Sequence, residues 1–432
     1  MLNRRVLVVG TTADYIEIIF QRFPGRALFL TDACERAKAA EPPPDASAEV
    51  LADLSRPEDC IAALGKHLDR WRIGVTGVAC FDCESLALAA QVADRLGLPF
   101  PSAAAVAASR SKFHSKRLWL RAGLPCPAVR LVRRPSDAVR LMERVGGPIV
   151  LKPLTGSGSE FVFLCSTADD CRRALRALRV GVREHPNRRM YGPGPSSVPG
   201  IDTRSVFAAE QFVRGEEYSC DFILDGAGVE VIRIARKIYA PGHAIGTVMA
   251  YVVPAELPPA IDPAGFRRQL GDAARALGLR RAMCMLDFIV ADGKAVMIEL
   301  TPRPGGDCLP FLISRCSGFD MFGCALDFAE GRAVVIPGPG QWRLLVGLRL
   351  FALRPGVIRA MDSRGLCADP RVLECSLKRG PGERIVLPPQ DYDSRLLGHV
   401  IFEPSPAADI AQQCIELTAK LALEMHADDP GG

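Results

Sequence analysis

The chain has 432 residues, of which 48% are apolar and 24% charged, and its formal net charge is +5. That length predicts two to four domains, each large enough to bury a core, and the apolar-to-charged balance excludes wholesale disorder. The chain has no block of consecutive basic residues that would serve as a polyanion-binding patch, and no uninterrupted apolar stretch of the roughly eighteen residues that cross a bilayer. Neither nucleic acid nor membrane is an expected partner. Arg4 and Arg5 precede only a four-residue apolar run before Gly10, which suits a buried strand better than a secretory signal, so a cytoplasmic location is expected. The 15 cysteines are dispersed and mostly embedded in apolar runs, as at Cys165, Cys220 and Cys284, where cysteine acts as a small hydrophobe. Cys80 and Cys83 form a C-x-x-C without a second pair or a histidine cluster. They read as a strand end followed by a helix start rather than as a zinc or redox site.

In chain order, Arg4–Gly10 reads as a buried parallel strand and Thr11–Phe20 as a helix. Ala27–Leu30 and Ile73–Cys80 are further strands, and Glu84–Leu96 is a helix closed by Gly97. This alternation predicts a doubly wound α/β layer over the first hundred or so residues. Gly10 lacks the companion glycines of a dinucleotide-binding turn, which argues against NAD. Ser109–Arg121 reads as one basic helix, Ile149–Lys152 and Phe161–Cys165 as strands, and Ala168–Leu178 as a helix. Pro186–Pro199, rich in Pro, Gly, Ser and Arg and without periodicity, reads as a mobile loop or lid. Phe207–Val213, Tyr218–Leu224, Val229–Ile238, Met283–Val290 and Ala295–Leu300 are strands of a larger sheet, with a helix at Pro263–Leu277. Beyond Trp342 come short strands and a terminal helix, Ala407–Glu424.

Three segments carry the chemistry. Lys112 and Lys152 are cations, and Lys152 leads directly to the small-residue loop Gly156, Ser157, Gly158, Ser159. Such a loop lets backbone N–H groups approach phosphate oxygens while an ammonium supplies charge, although a hairpin turn has the same composition. Next, Glu210-Gln211-Phe212-Val213 links two strands, and Glu217 follows seven residues after Glu210. A strand edge can offer backbone groups to a purine ring and the carboxylate can accept from ribose, although a surface hairpin with solvated acids fits as well. Third, Asp287 and Glu299 lie in apolar strands joined by an Asp292-Gly293 turn. Buried acids there need a cation, either hard Mg²⁺ or a basic side chain. A strict two-residue turn pairs 291 with 294 and puts 287 opposite 298, so bringing Asp287 and Glu299 to one face demands a bulge or an odd loop.

Together these residues, with Glu299-Leu-Thr301-Pro-Arg303, resemble the ATP-grasp superfamily, and within it the carboxylate–amine ligases typified by bacterial L-amino-acid (dipeptide) ligases. The tail, with Gly382 and Asp391-Tyr-Asp-Ser-Arg-Leu, resembles the C-terminal domain of those ligases. The resemblance implies an α/β and α+β chain of ATP-grasp architecture. Residues 1–110 form an N-terminal doubly wound α/β domain and 111–205 a small ATP-binding subdomain. Residues 206–335 form a large one with the metal site, and 336–432 a C-terminal α+β domain. It also implies that Lys112, Lys152 and the 156–159 loop contact ATP phosphates. Backbone atoms at Gln211–Val213 bind adenine with help from Glu210, and Glu217 holds ribose. Asp287 and Glu299 ligate Mg²⁺ (or Mn²⁺), with Thr301 standing where the family usually has Asn. Phe161 likewise departs from a position where glycine is common.

The implied reaction activates a carboxylate as an acyl phosphate and joins it to an amine, with amino acids as the expected substrates and ADP and phosphate as products. Arg303 is the expected cation for the acyl phosphate and the developing oxyanion. Lys237 and Arg236 add charge near the acceptor carboxylate, and His243 orients the amine or a phosphate. Two other readings stay open: a carboxylase or purine-pathway-like ligase of the same superfamily, and a nucleotide-binding protein without turnover. A homodimer, common among such enzymes, is one of the open assembly states.

Overall fold

The computed structural model describes residues 3–191, 201–226, 228–239 and 245–426. The apolar run at the amino terminus becomes β1 (Asn3–Val9), which joins β2 (Ala27–Asp32), β3 (Glu49–Ala52) and β4 (Ile73–Ala79) in a parallel sheet of order β3-β2-β1-β4. Val6 to Val9 are each at most 1% exposed, as expected of a parallel strand covered on both faces by crossover helices. The strand order reverses between β1 and β4, which places Gly10 and the Cys80–Ser85 loop side by side at the carboxyl ends of the strands, the position where open α/β sheets form ligand crevices.

A second sheet is antiparallel: β5 (Val129–Val132), β6 (Ile149–Pro153), β7 (Phe163–Cys165) and β8 (Phe207–Gln211), in the order β5-β8-β6-β7. The helices Pro135–Val145 and Ala168–Glu184 cover it with Leu141, Leu175 and Leu178. The largest sheet uses β9 (Glu216–Asp225), β10 (Gly228–Tyr239), β11 (Val248–Val253), β12 (Ala282–Ala291), β13 (Lys294–Thr301) and β14 (Leu345–Phe351). After them run β15 (Gly356–Asp362), β16 (Val372–Leu377), β17 (Arg384–Ile385), β18 (Leu396–Phe402) and β19 (Ala422–His426). The eight-stranded antiparallel order is β13-β12-β9-β10-β11-β14-β18-β16, while β17-β15-β19 form a small separate sheet. Alternation along β9 sends Cys220, Phe222 and Leu224 to a core with Trp119, Phe266 and Leu270. Ile223 goes to the opposite core, where the helices Leu309–Ser317 and Met321–Ala329 lie between this sheet and the parallel one.

Several expectations are corrected. The basic helix breaks at Ser111 into Ala103–Arg110 and Lys112–Arg121. Ser111 is extended, with ψ 107°, and its hydroxyl accepts from the His114 N–H, so it caps the second helix. The terminal helix is only Ile410–Thr418, and β19 follows it from Ala422, because Leu421, Leu423 and Met425 repeat with period two and lean on one core. In the expected lid, Arg188–Tyr191 is a short helix, and residues 192–200 lie outside the described residues. Sequence patterning also passed over β11, which is uniformly buried and completes the wall between β10 and β14.

Gly77 of β4 packs on the end of the Met321–Ala329 helix so closely that a Cβ would lie 2.2 Å from the Ala329 carbonyl oxygen. Gly77→Ala is expected to destabilise the protein by about 1–3 kcal/mol, read as a lower urea midpoint. An unchanged midpoint would refute this packing.

Candidate active site

The β12–β13 hairpin contains the bulge that the spacing demanded. From Ala291 opposite Lys294 the register runs regularly to Phe288 opposite Met297, then shifts so that Asp287 faces Glu299. Ile298 is the extra residue, and the two carboxylates come to one face. That face lines a cleft of about 780 Å³ between the small antiparallel sheet and the large one. The cleft wall also carries Lys112, Lys152, Lys237 and the small-residue loop.

Lysines and carboxylates interleave along this wall. Glu210 of β8 is 2% exposed and lies between Lys116, 3.0 Å away, and Lys152, 2.7 Å away. Burial pushes the Glu210 carboxyl up, but the two ammonium groups outweigh it and hold it below its ordinary value. Lys116 also donates to the Ile298 carbonyl, the carbonyl of the bulge itself. Lys112 donates to the Gly156 carbonyl at 2.8 Å and pairs with Glu299 at 3.2 Å. Burial raises the Glu299 carboxyl, and Lys112, Lys152 and Lys116 together bring it down to about 2. Lys237 of β10 reaches both Glu217 and Asp287 at 2.8 Å. For Asp287 burial wins over Lys237 and the carboxyl is raised, while Lys237 itself is held well above the ordinary lysine value by the two acids despite its burial.

The small-residue loop is built from left-handed backbone: Gly156, Gly158, Ser159 and Phe161 all have positive φ. At Gly156, with φ 129°, a Cβ would meet the Tyr191 ring at 2.9 Å, so this position requires glycine. In the linker after β8, the N–H groups of Gln211 and Phe212 donate to the carbonyls of Ala128 and Pro148 at 2.9 and 3.1 Å. The Val213 N–H, on the cleft wall, is one of the backbone donors left without an acceptor among the described residues.

Fourteen of the expected site residues therefore share one cleft: Lys112, Lys152, Gly156–Ser159, Glu210–Val213, Glu217, Lys237, Asp287 and Glu299. Thr301 and Arg303 are not on its wall. Thr301 is 7% exposed at the inner end of β13. Arg303 is half-buried on the side of the parallel sheet, its Nε 3.1 Å from Cys83 Sγ and its Nη1 on the Pro304 carbonyl. His243 lies outside the described residues. The loop after Arg303 is held from below. Asp221 accepts from the Gly305 N–H at 2.8 Å and from Arg233 Nε at 2.7 Å, and both side chains are at most 1% exposed. Cys80 and Cys83 are buried free thiols. Lys116 was the residue sequence reading missed, although its position four after Lys112 puts both on one helix face.

Asp287 and Glu299 fit a hard divalent cation as a carboxylate pair. Among the described residues no group of three or more His, Cys, Asp or Glu side chains is placed to hold one alone. A divalent cation held by this pair would draw its remaining ligands from outside these side chains.

Residues 145–310 match the ATP-grasp domain family. Among curated proteins, the uncharacterized protein y4rH of Sinorhizobium fredii is 27% identical over 361 residues, covering 82% of this chain and 68% of that one. D-alanine–D-alanine ligase of Paracidovorax citrulli is 25% identical over 266 residues, covering 57% of this chain and 72% of the ligase. Among solved structures, the L-amino acid ligase from Bacillus licheniformis superposes with a TM-score of 0.76 at 17% identity, covering 99% of this chain and 100% of that one. N5-carboxyaminoimidazole synthetase from Staphylococcus aureus, complexed with ADP, gives 0.67 at 14% identity, covering 97% of each chain.

Glu210→Gln leaves two buried lysines without their shared counterion and is expected to cost about 3–5 kcal/mol in urea unfolding. Lys116→Met leaves Glu210 paired with Lys152 and should cost less; the reverse order would overturn this account of the cluster. On the parallel sheet's loop, burial and the nearby Glu84 push the Asp82 carboxyl up to about 7, against Arg189 and two hydrogen bonds from Ser85. Folded Asp82 thus holds its proton to higher pH than the unfolded chain. The stability it contributes is present below about pH 4 and is lost as pH rises through about 7. Asp82→Asn should flatten the decline of the urea midpoint across that window, and an unaltered slope would refute the assignment.

Proposed function

We propose that this chain, which carries an ATP-grasp domain over residues 145–310, is an ATP-dependent ligase that joins a carboxylate to an amine, with amino acids as substrates. The observation that carries the proposal is the bulged pairing of Asp287 with Glu299, which aims both acids into the cleft that also holds Lys112, Lys152 and the small-residue loop. The overall likeness to an L-amino acid ligase, over nearly the full length of both chains, supports the same branch.

In this reading the adenine ring lies along Gln211–Val213, with the Val213 N–H as donor, and Glu217 takes the ribose hydroxyls. Glu210, paired with Lys116 and Lys152, holds those two lysines in place beside it. The triphosphate lies against Lys112, Lys152 and the 156–159 loop. Asp287 and Glu299 would hold Mg²⁺, which would supply charge neutralisation at the phosphates; Thr301 lies two residues beyond Glu299 and off the cleft wall. ATP binding redistributes the ion pairs, because Lys112 and Lys237 now occupy the acids that the metal and the ribose take.

Phosphoryl transfer asks mainly for positioning and charge neutralisation, which this inventory of cations and backbone donors supplies. A substrate carboxylate oxygen attacks the γ-phosphorus and ADP leaves. The amine nitrogen then attacks the acyl phosphate carbon, the tetrahedral intermediate expels phosphate, and the nitrogen loses a proton to give the amide. Arg303, four residues beyond Glu299 and facing the Cys80–Ser85 loop, is assigned to the carboxylate and acyl phosphate. Lys237 and Arg236 both line the cleft.

The test is ADP and phosphate release across pairs of amino acids, with products weighed by mass spectrometry and bicarbonate as a separate acid. Asp287→Asn, Glu299→Gln and Arg303→Ala should each lower ADP formation about 10²-fold or more. Wild-type turnover in all three variants would remove the role assignments. Release with bicarbonate alone would establish the carboxylase reading, and nucleotide binding without release under any pair would establish a protein without turnover.

A further inference from the structure

The segment Asp391–Arg395, distant in sequence from the cleft, touches its phosphate end twice. Tyr392 packs edge-on against Phe161, with ring centroids 5.4 Å apart at 64°, and Phe161 closes the small-residue loop. Phe161 is 2% exposed and holds φ 53°, a conformation unusual for a bulky residue. The Ala168–Glu184 helix makes room for it: a Cβ on Gly181 would sit 2.2 Å from its ring. Tyr191 and His185 pack on its other sides, at 5.9 and 6.0 Å. The aromatic side chain that stands where glycine is common is therefore an anchor, and Tyr392 is the part of that anchor supplied by the C-terminal segment.

The second contact is Arg395, whose Nη2 donates to Thr247 Oγ1 at 2.8 Å. Thr247 lines the cleft, and its neighbour Gly246 abuts the loop, a Cβ there lying 2.8 Å from Ser159. Arg395 is only 8% exposed, its Nε has no hydrogen-bond partner, and among the described residues no carboxylate pairs with it. Asp393 of the same segment pairs with Arg379 at 2.7 Å, and Asp391 caps the Asp393 and Ser394 N–H groups. The adjacent Arg349 pairs with Asp307 at 2.6 Å, and both guanidiniums lie over the Phe351 ring. A buried cation without a counterion is costly, and its hydrogen-bonded neighbour faces the place where phosphates would lie.

We infer that Asp391–Arg395 forms the outer wall of the triphosphate site. Tyr392 sets the position of the 156–159 loop through Phe161, and Arg395 directs positive charge at the terminal phosphates through Thr247. Both are positioning residues, and the inference rests on the ATP reading above. It is tested by titrating the full-length protein with AMP, ADP and ATP, each with Mg²⁺, in the wild type and in Arg395→Gln, Arg395→Lys, Tyr392→Ala and Tyr392→Phe. Arg395→Gln should leave AMP affinity within about twofold and weaken ADP and then ATP progressively, ATP by about tenfold, the scale of one hydrogen bond to a charged group. Arg395→Lys should recover part of that loss. Tyr392→Ala should weaken ATP and ADP but not AMP, and Tyr392→Phe should behave as wild type. Equal losses for all three nucleotides, or none, in cooperatively unfolding variants would overturn this inference alone. Wild-type protein that binds no adenine nucleotide would overturn the ATP reading and this one with it. A Gln variant that fails to fold leaves the same pattern to be read from Arg395→Lys and the Tyr392 pair.

Discussion

The cleft depends on a carboxylate buried between two ammonium groups. Glu210, on the central strand of the small sheet, ties Lys152 of the neighbouring strand to Lys116 of the helix that precedes the sheet. Lys116 then reaches the carbonyl of the β12–β13 bulge in the other sheet. One chain of polar contacts thus spans the two walls. Its strength comes from dryness: with Lys116 and Glu210 fully buried, neither charge has a solvated alternative.

The same logic repeats outward with less burial. Lys112 with Glu299, and Lys237 with Glu217 and Asp287, neutralise the wall in pairs. In the proposed function these are the groups a magnesium nucleotide would engage. The innermost cluster is drier: Lys116 and Glu210 are at most 2% exposed, while the side chains of Glu217, Asp287 and Glu299 are 20–27% exposed. Beneath the neighbouring loop, Asp221 with Arg233 does for Gly305 what Glu210 does for the lysines.

Much of the site was legible from residue types and spacing. Because a strand repeats every two residues, Asp287 and Glu299 share a face only across a bulge, and Ile298 is that extra residue. The loop at 156–159 was legible because its residues are small and glycine, at 156 and 158, adopts left-handed backbone without penalty. Lys116 was legible in principle from its helical spacing to Lys112. The role of Glu210 was not, because nothing in Ala-Glu-Gln-Phe shows that lysines from two other elements converge on it. Arg303 was expected at the acyl phosphate; its side chain turns to Cys83, a contact 220 positions away. The terminal helix was misread because Ile410–Thr418 and the alternating Leu421, Leu423 and Met425 were merged into one period.

By itself the sequence determined the strand periods, the glycines, the bulge and the stock of lysines and carboxylates, since each follows from local backbone geometry or from residue chemistry. Only the tertiary structure decided which lysine meets which acid, that the C-terminal strands β14, β18 and β16 extend the large sheet, and that Tyr392 reaches Phe161 and Arg395 reaches Thr247 beside the small-residue loop. Those outcomes depend on packing between elements far apart in the chain, where the pairing of charges is set by which groups are desolvated together.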